Sequence, residues 1–147
     1  MKKSVILLLS AVYIFAIVIV GFLGLKMKVY DPIIYVNNII CETEGYKEYS
    51  EEEKSKKGHD GYIQVEYSEN LIVEIKCKPN PDNATNKAFD YSVLGDSTYY
   101  ELTVKDDGTA SIQFKEATTY TVIVTATDNH KATLKIKVIV VDSGGIF

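Results

Sequence analysis

Arginine and tryptophan are absent from this 147-residue chain, and cysteine and histidine occur only twice each. Without arginine there is no planar guanidinium fork to grip phosphates in pairs. The 16 lysines are outnumbered by 20 acidic residues, for a net charge of -4. That combination excludes nucleic acid as an expected partner, because such binding rests on neutralising phosphates. Two cysteines do not make a disulfide framework, and the spacing of Cys41 and Cys77 matches no metal site. His59 and His130, far apart in sequence, read as solvated loop residues and not as a catalytic or metal pair. No metal site and no cofactor is expected.

Charge is also missing locally. Residues 4–25, SVILLLSAVYIFAIVIVGFLGL, carry none. As a helix, 22 residues at about 1.5 Å each reach roughly 33 Å, enough for a bilayer core. The run exceeds the apolar core of a usual signal peptide, and no small-x-small cleavage site follows it. The expectation is a retained membrane anchor within residues 1–28, with a cleaved signal peptide as the alternative. Lys2 and Lys3 precede the span and Lys26 and Lys28 follow it, so the positive-inside rule is nearly balanced. All acidic residues lie beyond residue 30. Without the four lysines flanking the span, 12 lysines face 20 acids, about −8. These features and the β-rich remainder place the N-terminus inside and the C-terminal domain outside the cell, as a single-pass membrane protein.

Residues 29–61 read as a first strand held within 29–41, with Pro32 at or before its start, followed by a charged flexible insertion. The stretch ETEGYKEYSEEEKSKKGHDG, 42–61, is rich in acids, lysines and glycine. A short helix near 47–57 would have no apolar stripe to dock it. From residue 62 to 142 the pattern alternates apolar and polar with period 2. Ile63, Val65 and Tyr67 form one such series, then Leu71, Val73, Ile75 and Cys77, then Phe89, Tyr91 and Val93. Tyr100, Leu102 and Val104 lead through an Asp-Gly turn to Ala110, Ile112 and Phe114. Tyr120 to Ala126 and Ala132 to Val140 close the series. About seven short half-apolar strands predict an all-β fold, a Greek-key β-sandwich, with 143–147 as a short tail.

Between Cys77 and Ala88 the sequence is KPNPDNATNK. Pro79 and Pro81 lack the N–H of a ladder and are expected to stop pairing there. The Asn and Asp residues suit a turn, and the corner would pass the chain from one sheet to the other. The stretch SENLIVEIKCKPNPDNATNKAFDYS resembles the bacterial Ig-like domains of group 2, found in invasin- and intimin-like surface proteins. Ser68 and Glu69 stand at the family's Gly-Glu, Pro81, Asn83, Ala84, Thr85, Asn86 and Lys87 at its corner motif, and Tyr91 at its usual Trp. LTVKDDGTASIQF and ATTYTVIVTATD resemble later strands of the same family, so the likeness covers about 62–141. It departs at Thr119, where the family has Gly, and at the missing Trp.

The resemblance implies a non-enzymatic Ig-like module for adhesion or protein–protein contact, with an unknown protein or glycan partner at the cell surface. An accessory subunit of a membrane complex and a secreted or surface carbohydrate-binding module are the alternative readings. Tyr62 and Tyr99 are candidates for a binding surface, since tyrosine gives contact area at low entropy cost. Tyr120 is a candidate tyrosine corner. Cys41 and Cys77 could form a disulfide if the first strand pairs with the strand ending at Cys77; otherwise they are unrelated thiols. Asp106-Asp107-Gly108 reads as a hairpin turn and not a calcium loop. Gly95-Asp96-Ser97 lacks the context of a nucleophilic serine. Asn83-Ala84-Thr85 fits a glycosylation sequon, but its turn chemistry accounts for it.

Overall fold

A computed structural model describes residues 2–27 and 32–144; Met1 and residues 28–31 and 145–147, parts of the expected anchor, first strand and tail, lie outside the described residues. The chain divides into two units, Met1–Ile33 and Ile34–Phe147. The first holds the helix α1, Lys3–Met27. Its stretch Lys3–Gly24 is long and apolar enough to cross a membrane, a property that N-terminal signal sequences share. Its large side chains are uncovered, with Leu7 74% and Val20 69% exposed. The Ser10 hydroxyl donates back to the carbonyl of Ile6 at 2.9 Å. That bond satisfies the polar group without water.

The second unit is built from strands β1 (Asn38–Cys41), β2 (Lys47–Glu48), β3 (Gly61–Glu66), β4 (Ile72–Ile75), β5 (Cys77–Asn80), β6 (Phe89–Leu94), β7 (Tyr100–Val104), β8 (Ala110–Phe114), β9 (Thr119–Ala126) and β10 (Thr133–Val141). A short helix α2, Glu51–Lys57, lies between β2 and β3. Five strands form one sheet in the order β2-β3-β10-β9-β6, three form another in the order β4-β8-β7, and β1 pairs with β5. All pairings are antiparallel except β3 with β10, which run parallel from Gly61 opposite Ile136 to Glu66 opposite Val141. The order is compatible with a β-sandwich.

Period-2 alternation explains the core. On β9, Tyr120, Val122, Val124 and Ala126 are buried, while Thr119, Thr121, Ile123 and Thr125 face outward to varying degrees. On β10, Leu134, Ile136, Val138 and Val140 are buried. From the other sheet, Val73, Ile75, Ala110, Ile112 and Phe114 enter the same cluster, and Val36, Ile39 and Ala84 join it. Each such aliphatic side chain contributes about 1.5–3 kcal/mol of transfer free energy. The alternation fails at one expected inward position, Val104, which is 50% exposed at the end of an outer strand.

The expected first strand lies at Asn38–Cys41 within the described residues. Two sequence expectations are corrected. Pro79 does not stop pairing: it is buried in β5, opposite Ile39. The reason is register. Glu42 N–H donates to the Lys76 carbonyl at 2.8 Å, and hydrogen-bonded and non-bonded positions alternate along an antiparallel pair. Pro79 therefore falls at a non-bonded position, where a missing N–H removes no ladder bond. The chain leaves the sheet one residue later, through a cis Asn80–Pro81 peptide, and enters the five-stranded sheet at β6.

The second correction concerns residues 42–61: the expected flexible insertion carries the short helix weighed for 47–57 together with strand β2. Ser50 Oγ accepts from Glu53 N–H at 3.4 Å, and Glu53 returns the bond to Ser50 N–H at 3.2 Å. This capping box starts α2, and Gly58, at φ 70°, ends it. No residue of α2 is buried; its hold is ionic. The segment is pinned instead by Tyr46, which packs against the core. Gly61 is the counterpart. A Cβ there would run into the Tyr46 ring and come within 2.6 Å of the Lys47 carbonyl oxygen. That oxygen belongs to backbone paired with β3, so it cannot yield. Gly61→Ala is expected to cost about 1–3 kcal/mol, as overpacked sites do, read as a lower urea midpoint. An unchanged midpoint would show that this close approach does not hold.

Candidate functional site

The pairing of β1 with β5 sets Cys41 directly opposite Cys77. The same register that spares Pro79 makes this a non-hydrogen-bonded pair, the position where facing side chains lie closest. Both are half-buried free thiols packed against the core cluster. Interaction with the facing Cys77 thiol, and then with the Thr43 hydroxyl and backbone, holds the Cys41 thiol below its ordinary range, against burial and the Glu42 carboxylate, which push the other way. The Cys77 thiol is raised, by its interaction with Cys41, by burial and by the neighbouring negative charges. The pair therefore presents one sulfur that ionises readily and one that holds its proton.

A cleft of about 650 Å³ opens beside β1, lined by Cys41, Tyr46, Glu48, Lys54 and Asp60 among others. The Lys54 ammonium bridges Glu48 at 2.7 Å and Glu51 at 2.8 Å. Those carboxylates hold it above the ordinary lysine range. Asp60 is occupied by structure, its Oδ2 accepting from Lys135 N–H at 2.7 Å. Burial raises the Tyr46 hydroxyl. Lys54, Glu48 and Glu51 thus pair with one another on the cleft wall.

The two candidate surface tyrosines are not brought together by the sheets. Tyr62 lies on β3 of the five-stranded sheet, stacked on Tyr49 at 5.2 Å with the Lys47 ammonium 5.9 Å from its ring centre. Tyr99 precedes β7 in a 3-10 turn, Ser97–Tyr99, and is 44% exposed. The Tyr120 hydroxyl lies 3.0 Å from the Glu116 carbonyl and 3.2 Å from the Tyr99 carbonyl, sharing its proton between them. Its ring meets Phe114 at 4.4 Å. Tyr91 is half-buried and donates its hydroxyl to the Gly108 carbonyl at 2.9 Å.

The corner residues divide their tasks. Ala84 is buried in the core cluster. Thr85 exchanges two bonds with Ile34, its Oγ1 accepting from Ile34 N–H and its N–H donating to the Ile34 carbonyl, both at 2.8 Å. Asn86 accepts from Ala88 N–H at 3.0 Å and donates to the Thr127 hydroxyl at 3.0 Å. Asn83 and Lys87 are exposed, and Pro81 is partly covered. The motif thus ties the chain entering β1 to the start of β6.

His59 departs from expectation. It is half-buried, with Nδ1 2.9 Å from the Lys57 carbonyl and Nε2 2.9 Å from the Thr121 hydroxyl. The carbonyl only accepts, so Nδ1 carries the proton. His130 is exposed and stacks on Tyr35 at 4.2 Å. Asp107 accepts from Thr109 N–H at 2.9 Å in the β7–β8 turn, and Gly108 takes φ 83° there. Asp96 caps the 3-10 turn, accepting from Thr98 N–H and hydroxyl. Among the described residues no group of three His, Cys, Asp or Glu side chains is arranged to hold a metal.

No family model matches this chain, and no curated protein is significantly similar to it.

Proposed function

We propose that this protein is a membrane-anchored extracytoplasmic Ig-like module that acts by binding, not by catalysis, with a protein or glycan partner at the cell surface. One observation carries the reading: a helix of bilayer length with uncovered apolar side chains precedes, in sequence, a β-rich unit with its own core. A charge-free helix of this kind is most stable in hydrocarbon, where its backbone bonds are all internal. The acidic balance beyond residue 30 supports an outward-facing domain.

The Ig-like assignment is supported by strand order. The three-stranded sheet β4-β8-β7, the run β3-β10-β9-β6 and the parallel β3–β10 pair support an Ig-like Greek-key reading. The Tyr120 hydroxyl, bonded four residues back at the entry to β9, matches the tyrosine corner of such sandwiches. Outer-face side chains such as Tyr99 and Ile72 give the module apolar contact area.

The test is protease treatment of intact cells expressing a C-terminally tagged full-length chain. The expected result is loss of the tag on intact cells and full mass in the membrane fraction of untreated ones. Survival of the tag would overturn the outward topology. A shortened product in the medium would make residues 4–25 a signal peptide.

A further inference from the structure

We propose that Cys41 and Cys77 form a cross-strand redox site, closing to an intramolecular disulfide by exchange with a disulfide-bearing co-reactant, with Cys41 the sulfur that exchanges first. The geometry is the first support. The residues are register partners across β1 and β5, at a non-hydrogen-bonded position where Cα atoms stand about 4.5 Å apart. That falls within the roughly 4.4–6.8 Å span that disulfides bridge. Both side chains lie on the inner face of the two strands, on the side of Ile39 and Pro79, which are buried. Neither backbone strand needs to move by a register step for the sulfurs to meet.

Access is the second support. Neither cysteine is fully buried, and Cys41 lines the cleft beside β1. The electrostatics agree with the order of events. Around the sulfurs stand the Glu42 carboxylate and the Tyr46 and Tyr91 hydroxyls, with Thr43 and the facing Cys77 thiol as the polar neighbours of Cys41. Glu42 is itself paired with Lys78 at 3.0 Å. Thr43 and Cys77 favour the Cys41 thiolate, the species that attacks disulfides.

The exchange balances in two steps. The Cys41 thiolate attacks one sulfur of R–S–S–R, forming Cys41–S–S–R and expelling RS⁻, which takes up a proton. Cys77 then gives up its proton, and its thiolate attacks the Cys41 sulfur, forming the Cys41–Cys77 bond and expelling the second RS⁻, which is protonated in turn. The two cysteines are oxidised by two electrons and the co-reactant is reduced to two thiols. The negative Cys41 sulfur that raised the Cys77 thiol is gone once Cys41 is in the mixed disulfide. The second ionisation is therefore easier than the first structure alone would suggest.

The closed bond would enclose residues 42–76, which include β2, α2, β3 and β4. It would lock the first strand to the strand that precedes the corner. The test uses the full-length chain in detergent micelles, equilibrated with glutathione and glutathione disulfide in varied ratio, acid-quenched, and labelled with a mass-tagging maleimide. The expected result is an all-or-none shift from two tags to none, in the monomer. In alkylation at neutral pH without oxidant, Cys41 should take the first label roughly tenfold faster than Cys77 or more. Its rate should reach half-maximum at a lower pH than an ordinary thiol does, and Cys77→Ala should move that midpoint upward by removing its neighbour's proton. Two tags at every glutathione ratio, or disulfides only between chains, would overturn the site. First labelling at Cys77 would overturn the assigned order.

Discussion

Phe114→Ala is expected to destabilise the β-rich unit by about 3–5 kcal/mol, the usual cost of emptying a buried aromatic site. The side chain is 0% exposed, the largest of the fully buried ones. It sits at the last position of β8, opposite Tyr100 of β7, and its N–H donates to the Leu71 carbonyl at 3.3 Å. Its ring meets Tyr120 of β9 at 4.4 Å, tilted by 34°. One residue thus joins both sheets, and three neighbouring strands would have to close over the void. Backbone pairing holds those strands in place, so little collapse is available and the cavity term stays large. For a domain of this size total stability is on the order of 5–15 kcal/mol, so the loss takes a large share of it.

The measurement is urea unfolding followed by tyrosine fluorescence, with Val104→Ala as the contrast. Val104 is 50% exposed, and its truncation should stay within about 0.5 kcal/mol. The slope of the transition should be unchanged in both variants. A Phe114→Ala loss below about 1 kcal/mol would mean that the two sheets do not share this contact, and the sandwich arrangement would have to be abandoned.

Phe114 also marks where the sequence speaks clearly. β8, β9 and β10 alternate without interruption, so their inner faces and the Asp-Gly hairpin can be read directly. Short elements carry too few periods for that. β1 has four residues and β2 has two, and neither stands out from its flanks. The charged insertion misleads because composition averages over twenty residues, while a single inward Tyr46 and a capping box fix the segment. Pro79 misleads for another reason: whether a proline breaks a ladder depends on which of two alternating positions it occupies, and register is a property of the partner strand. The cysteines share that dependence. Their meeting follows only once β1 is paired with β5 in a register that the residues of neither strand reveal alone. His59 gives no sequence signal, because its partner Thr121 lies sixty-two residues away. The corner motif tells of a turn, but not that Ala84 turns into the core.

The second large effect concerns α1. Val12→Arg with Phe15→Arg places two charges near the middle of the stretch Lys3–Gly24. Each arginine at the centre of a membrane helix costs about 2.5–3.5 kcal/mol, so the pair costs about 5–7, before the lost benefit of the apolar side chains. At about 1.4 kcal/mol per factor of ten, membrane partition should fall by roughly four orders of magnitude. Arginine is a good helix former, so helix propensity does not account for the change. Only the surroundings of the side chains do. Val12 and Phe15 are 61% and 68% exposed within the chain, so no protein packing is lost with them. The expected outcome is that wild type resists alkaline extraction from membranes while the double variant is released at full length, with the Phe114-centred core intact by urea midpoint. Val12→Leu with Phe15→Leu should behave as wild type. If the arginine variant stays bound through alkaline washing, the anchor is not α1, and attachment must come through the β-rich unit. If wild type is itself released in shortened form, the apolar run has served as a signal and the module acts free of the membrane.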